Sequence, residues 1–266
     1  QPRTLILVPT RELVLQVVEQ INSYAKYMDL RVIGVYGGTN IKTQMQAVLQ
    51  GSDILVATPG RLYDLALERI VKLNEIKKLV IDEVDVMLDL GLRFQLSNIF
   101  ELMPVKRQNI MFSATMTAEV DAIIDDYFIA PEKITIAPSG SRLENIDQQS
   151  YKVENFYTKV NLLIHLLSDK KTYQKVLIFV SGKNYIEYIA GKLNVEFDSE
   201  IGFMHSSLSQ NNRIAAIQLF DEGKHRILIT TDIMARGLDL QALSHVISFD
   251  TPVYPENYIH RIGRAG

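Results

Sequence analysis

Asp82-Glu83-Val84-Asp85 sets three carboxylates within four residues, immediately after the aliphatic run Leu79–Ile81. A carboxylate that emerges from a buried strand is costly unless a cation or a hydrogen-bond network holds it. Asp at such a place is suited to hold Mg²⁺ through its water shell, and the adjacent Glu to orient or deprotonate an attacking water. As a dipeptide, Asp82-Glu83 also fits a helix N-cap with a first-turn acid; in the four-residue context after a buried strand, the chemical reading takes precedence. Near the other end, Arg261 and Arg264 stand three residues apart, on one face if the segment is helical. Their planar, permanently charged forks suit phosphate oxygens, and the plain alternative is a solvated basic helix end. In Thr231–Asp239, Gly237 marks either a simple turn or a loop whose N–H groups hold a phosphate while Asp239 takes a ribose hydroxyl. Thr58-Pro59-Gly60-Arg61 reads as a turn into a helix, or as a helix start plus Arg61 facing a nucleic-acid phosphate.

The elements that must carry these groups alternate. Leu5–Val8 is short, aliphatic and ended by Pro9, as suits a strand buried on both faces. Thr10 is placed to cap a helix whose stripe is Val14, Val17, Val18, Ile21, Ala25 and Met28. Strands are then expected near 31–36, 54–57, 79–81, 109–112 and 133–137, with helices near 41–49, after Pro59, and near 92–102 and 118–128. Pro138-Ser139-Gly140-Ser141 interrupts the rhythm, so a linker is expected at 139–149, between an N-terminal domain at 1–138 and a C-terminal one at 150–266. The second half repeats the pattern, with strands near 150–153, 176–180, 201–204, 227–229 and 246–249 and helices near 160–167, 185–193 and 213–220. This is an α/β pattern of parallel sheets flanked by helices. Polar and Gly-rich segments follow nearly every strand, where ligands bind in open parallel sheets. Two such edges facing each other would make an interdomain cleft.

Composition narrows the function classes. The 266 residues include 47% hydrophobic and 22% charged residues, which excludes disorder and allows two sizeable cores. No apolar run approaches the length needed to span a bilayer, and no signal-peptide pattern opens the chain, so no membrane role and a cytoplasmic location are expected. The absence of cysteine removes disulfides, thiol nucleophiles and thiolate metal sites. With 28 Lys+Arg against 31 Asp+Glu, the formal net charge is −3, which argues against a strongly basic nucleic-acid surface. Helix N-termini, glycine loops and a few Arg residues can nonetheless bind phosphates locally, whatever the total.

Taken together and in order, these segments resemble the DEAD-box ATP-dependent RNA helicase family of superfamily 2. Pro9-Thr10-Arg11-Glu12-Leu13 resembles motif Ia, Gly37-Gly38 the GG motif, Thr58–Arg61 motif Ib, Asp82–Asp85 motif II and Ser113-Ala114-Thr115 motif III. Val176–Lys183 resembles motif IV, Gln210–Arg213 the QxxR element, Thr231–Asp239 motif V and His260–Arg264 motif VI. Nine matches in order are far more specific than any one tetrapeptide. The resemblance implies two tandem RecA-like domains that close over ATP, Mg²⁺ and single-stranded RNA and so separate short duplexes. By the same resemblance Asp82 and Glu83 serve Mg²⁺ and the attacking water, and Ser113 and Thr115 couple nucleotide state to closure. Gly237, Asp239 and Arg264 meet the nucleotide, Arg264 as an arginine finger, with His260 and Arg261 supporting the closed interface. RNA contacts fall to Pro9, Thr10, Arg11, Glu12, Gly38, Thr58, Pro59, Gly60, Arg61, Gln210, Arg213, Thr231 and Gly237. They are expected mainly on the sugar-phosphate backbone, with little sequence preference. A monomer, with protein regulators as further partners, completes the expectation.

Three departures qualify the resemblance. Val84 stands where the family has Ala and adds two methyl groups without removing a ligand. No G-x-x-x-x-G-K-[ST] loop occurs: Gly182-Lys183, Gly191-Lys192 and Gly223-Lys224 are followed by Asn184, Leu193 and His225. Motif VI stops at Gly266, short of the family's next Arg. On these grounds each sheet is expected to lack a piece, the first from its middle, and the chain as written to be a catalytically incomplete RNA-binding or protein-docking fragment without ATP turnover.

Overall fold

Leu5 and Leu7 are fully buried because β1 (Thr4–Leu7) lies in the middle of a parallel sheet, in register with β3 (Ile54–Ala57) on one side and β4 (Lys78–Ile81) on the other. The computed structural model describes residues 1–136, 146–235, 238, 240, 242–253 and 255–265. β2 (Val32–Val35) and β5 (Gln108–Met111) complete the order β2-β3-β1-β4-β5, all parallel. Leu5, Leu7, Leu55, Leu79 and Ile81 form the centre of the core, covered by α2 (Ile41–Leu49), α3 (Pro59–Leu67), α4 (Val84–Asp89), α5 (Arg93–Glu101) and α6 (Ala118–Tyr127). The opposite face is covered by α1 (Arg11–Tyr24), where Val14 meets Val8 and Val56. Thr10 caps α1 as expected, its Oγ1 accepting the Leu13 N–H at 3.3 Å.

The second sheet has the order β7-β8-β6-β9, again parallel, from β6 (Val176–Phe179), β7 (Ile201–Phe203), β8 (Ile227–Thr230) and β9 (His245–Ser248). Every residue of β6 and β8 is buried, as expected of central strands covered on both faces. The flanking helices are α7 (Phe156–Ser168), α8 (Lys183–Phe197), α9 (Gln210–Asp221), the single turn α10 (Asp232–Ala235) and α11 (Pro255–Ile262). The chain divides into two compact units, one containing Gln1–Lys133 and the other opening at Ile134. No described helix is long and apolar enough to cross a membrane.

Several sequence expectations are corrected. Residues 131–136 form no strand; Ile134 and Ile136 are 82% and 89% exposed and lack a ladder partner, so β-propensity finds nothing to pair with. The strand expected at 150–153 is likewise irregular, with Tyr151 half exposed. The expected linker at 139–149 lies outside the described residues up to 145. The first sheet is not broken in its middle, because its five strands form one continuous ladder; β5 has no second strand partner among the described residues. Finally α11 ends at Ile262, and Gly263-Arg264 turn off its end, the Arg264 N–H donating to the Arg261 carbonyl. Arg264 therefore follows the helix end, although it lines the same recess as Arg261.

Candidate functional site

Asp82 leaves the carboxyl end of β4 with its N–H bonded to the Leu7 carbonyl, which fixes the turn against the central strand. Glu83 follows in the left-handed conformation, φ 52° and ψ 50°, at the start of α4, and its side chain makes no cap hydrogen bond. The N-cap alternative is therefore not realised. A non-glycine residue held at positive φ stores about 1–2 kcal/mol of strain, a cost concentrated at functional turns. Burial pushes the Asp82 carboxyl up from the ordinary carboxylate range; the Glu83 N–H opposes this and the nearby Asp85 charge adds to it. Such a carboxyl is stabilised in its charged form by an arriving cation. No group of three or more His, Cys, Asp or Glu capable of holding a metal occurs among the described residues. The Asp82–Glu83 pair instead suits Mg²⁺, which commonly takes one or two carboxylates and completes its shell with waters and phosphate oxygens.

Asp85, buried at 4% exposure, ties this turn to the next strand end: its Oδ2 accepts the Thr115 N–H at 3.0 Å and the Thr115 hydroxyl at 2.8 Å. Ser113 donates its hydroxyl to the Thr115 carbonyl at 2.6 Å, closing the Ser113–Thr115 turn on itself. Val84 is fully buried in the core between these groups, so its additional methyl groups are accommodated.

A second constellation collects at the same sheet edge. Arg11 lies against Gly38, whose φ is +76° and whose position leaves no room for a side chain: an added Cβ would stand 1.9 Å from Arg11 Nη1. Gly38→Ala is thus expected to lose about 1–2 kcal/mol from the backbone alone and to expel the Arg11 guanidinium. Chemical denaturation should show the loss, and an unchanged unfolding midpoint would contradict this packing. Thr58 precedes α3 without a side-chain cap bond, Pro59 occupies the first turn, and a Cβ on Gly60 would meet open space. The α3 N-terminus therefore presents its backbone N–H groups, the arrangement that favours anions. Arg61 is turned inward at 9% exposure, donating to Gln44 Oε1 at 2.9 Å and to the Thr39 carbonyl at 3.1 Å. Pro9 and Glu12 are buried beside the α1 start.

In the second unit Arg261 is 2% exposed. Its Nε and Nη2 grip the two Asp232 oxygens at 2.5 and 2.7 Å, its Nη1 donates to the Asp250 carbonyl at 2.6 Å, and its guanidinium lies 5.0 Å from the Phe179 ring centre. The Asp250 carboxylate meanwhile receives the Ser181 N–H and hydroxyl and the Lys159 ammonium. Burial pushes the Asp250 carboxyl up, but the Ser181 bonds and Lys159 outweigh it and hold the group below the usual carboxylate range. Arg261 thus positions α11 against α10 and the β9 end rather than offering its fork to a ligand. Arg264 lines a recess together with Phe179, Asp232, Asn257, His260 and Arg261 itself. Gln210 and Arg213, both buried, bond to each other through Arg213 Nη2 and Gln210 Oε1, and Arg213 Nη1 reaches the Met234 sulfur at 3.3 Å. Thr231 accepts the Met234 and Ala235 N–H groups, opening α10. Gly237 and Asp239 lie outside the described residues. Gln44, Asp85, Asp232 and Asp250 had been given no individual role from sequence, although Asp85 and Asp232 lie within motif segments and Asp250 directly follows a strand.

Residues 1–123 match the DEAD/DEAH box helicase family and residues 158–266 the helicase conserved C-terminal domain. The ATP-dependent RNA helicase eIF4A of Kluyveromyces lactis is 37% identical over 265 residues, covering 100% of this chain and 66% of that protein, so the chain spans just under two thirds of this relative. The structure of Saccharomyces cerevisiae Dbp5 bound to RNA and ADP BeF3 superposes with a TM-score of 0.85 at 29% identity, over 99% of this chain and 68% of that one. A hypothetical ATP-dependent RNA helicase from Sulfolobus tokodaii is 34% identical over 99% of this chain and 76% of its own, with a TM-score of 0.50. The carboxylate turn of β4, its tether to Ser113–Thr115 and the two parallel sheets accordingly have a common source: the chain belongs to the DEAD-box family of superfamily 2 RNA helicases.

Proposed function

We propose that the protein is an ATP-dependent RNA helicase that binds single-stranded RNA through its backbone and separates short duplexes by ATP-driven closure of its two units. The observation that carries this reading is the pair of hydrogen bonds from Thr115 to Asp85, which joins the Asp82–Glu83 turn to the Ser113–Thr115 turn. A change at the nucleotide side of β4 is thereby transmitted to the end of β5. Asp82 would hold Mg²⁺ through its water shell, and the ion when bound would neutralise charge on the phosphates. Glu83 orients the attacking water and accepts its proton, and Arg264 offsets developing phosphate charge, with His260 beside it. Gly237 and Asp239 would contact the nucleotide. The α3 start at Thr58–Gly60, the Arg11–Gly38 pair and the Gln210–Arg213 pair would face the RNA phosphates, with Pro9, Thr10, Glu12, Arg61 and Thr231 shaping those surfaces. The protein is taken to work as a cytoplasmic monomer, with protein regulators supplying RNA choice.

Single-stranded RNA is expected to raise the Mg²⁺-dependent ATP hydrolysis of the full-length protein several-fold, measured by phosphate release, and DNA of the same length to do so less. A rate indifferent to RNA would overturn the reading.

A further inference from the structure

We infer that Gln44, a residue outside every motif of the family pattern described above, is the positioning residue of the first unit's phosphate-facing loop. This rests on the RNA-binding reading given above. A carboxamide has two donor N–H groups and an oxygen with two acceptor sites, and Gln44 uses all four. Its Oε1 accepts the Tyr36 N–H at 3.1 Å and Arg61 Nη1 at 2.9 Å; its Nε2 donates to the Tyr36 carbonyl at 3.0 Å and the Thr39 hydroxyl at 2.7 Å. One side chain on α2 therefore holds the end of β2, the Gly37–Thr39 turn and the first turn of α3. Arg61 Nη2 closes the ring by donating to the Thr39 carbonyl at 3.1 Å.

The consequence is geometric. Gly38 sits in the middle of this ring at positive φ with Arg11 packed on it, so the loop conformation sets where Arg11 stands. The α3 N-terminus is fixed by the same ring through Arg61, one residue beyond Gly60. Two phosphate-facing features from separate segments, Arg11 over Gly38 and the N–H groups of α3, thus share one tether. Gln44 is partly buried and need not touch RNA to align them. Preorganisation of this kind acts on affinity by removing the ordering cost otherwise met on binding.

The test compares full-length wild type, Gln44→Met, Gln44→Glu and, as a control on the exposed side of α2, Gln46→Met. Binding of a fluorescent single-stranded oligo-uridine is measured by anisotropy, alongside unfolding midpoints. Gln44→Met keeps the volume and loses all four bonds; its Kd is expected to rise about ten-fold, the scale of one lost charge-assisted contact. Gln44→Glu keeps both acceptor bonds, to Tyr36 N and Arg61, but sets a carboxylate oxygen against the Tyr36 carbonyl in place of a donor, so it too is expected to bind more weakly than wild type; Gln46→Met should bind as wild type. A Gln44→Met protein that is less stable yet binds RNA with unchanged Kd would reduce Gln44 to packing and overturn the inference, as would a folded Gln44→Glu protein that binds RNA as wild type does. Wild type that does not bind the oligonucleotide at all would instead remove the RNA reading on which this one stands.

Discussion

Glu83→Gln in the full-length protein is expected to lower RNA-stimulated ATP turnover by about 10²–10⁴-fold, the range that a positioned general base contributes. Gln has the same shape as Glu and the same difficulty at φ 52°, so the turn at the end of β4 should survive the change. The Glu83 side chain makes no cap hydrogen bond, so the N-terminus of α4 loses no cap bond to it. What disappears is the capacity to take a proton from water. Nucleotide affinity should change little, since Asp82 and the phosphate-facing groups remain. Steady-state phosphate release and equilibrium nucleotide binding separate the two effects. A variant that turns over at the wild-type rate would refute the role assigned to Glu83.

Arg261→Ala is expected to destabilise the second unit by about 3 kcal/mol, the lower end of the cost of removing one partner of a buried ion pair, because the Asp232 side chain is partly exposed. The arithmetic favours this over a solvated helix end because Arg261 is 2% exposed and its fork already engages Asp232 and the Asp250 carbonyl. Its loss takes both guanidinium bonds from the Asp232 carboxylate, in a recess also lined by Phe179, Asn257 and His260. Lys at 261 should rescue little, since a point charge on a flexible stem cannot reproduce two parallel bonds to one carboxylate. Asp232→Asn combined with Arg261→Ala should cost less than the sum of the single changes, because each single change strands a partner that the double change removes. Denaturant unfolding of the four proteins measures the coupling. Additive losses would mean that the two side chains do not depend on each other.

Where the sequence was informative, the reason is burial. Leu5–Val8, Ile54–Ala57, Val176–Val180 and Ile227–Ile229 are apolar because both faces of their strands are covered. The motif residues could be placed at strand ends for the same reason. The strand expectations at 133–137 and 150–153 failed because alternating apolar residues describe a strand only where a neighbouring edge accepts it, and edges are tertiary facts. Three-residue spacing said nothing of where the helix ends, and it stops at Ile262, so Arg264 follows the last turn while Arg261 lies within it. The polar tethers were the least legible part. Gln44 meets Arg61 across 17 residues, Asp85 meets Thr115 across 30 and Asp232 meets Arg261 across 29, separations at which spacing carries no signal.

Asp250 has one further implication, for how such a site can change over time. Its carboxylate serves Ser181 and Lys159, whereas Arg261 is held by its main-chain oxygen. Any amino acid at position 250 supplies that oxygen, so the grip on Arg261 survives replacements that abolish the other half of the junction. The two halves are thus inherited by different means, one written in residue identity and the other in the path of the backbone. Comparison of sequences alone would register only the first and would undercount what fixes motif VI in place.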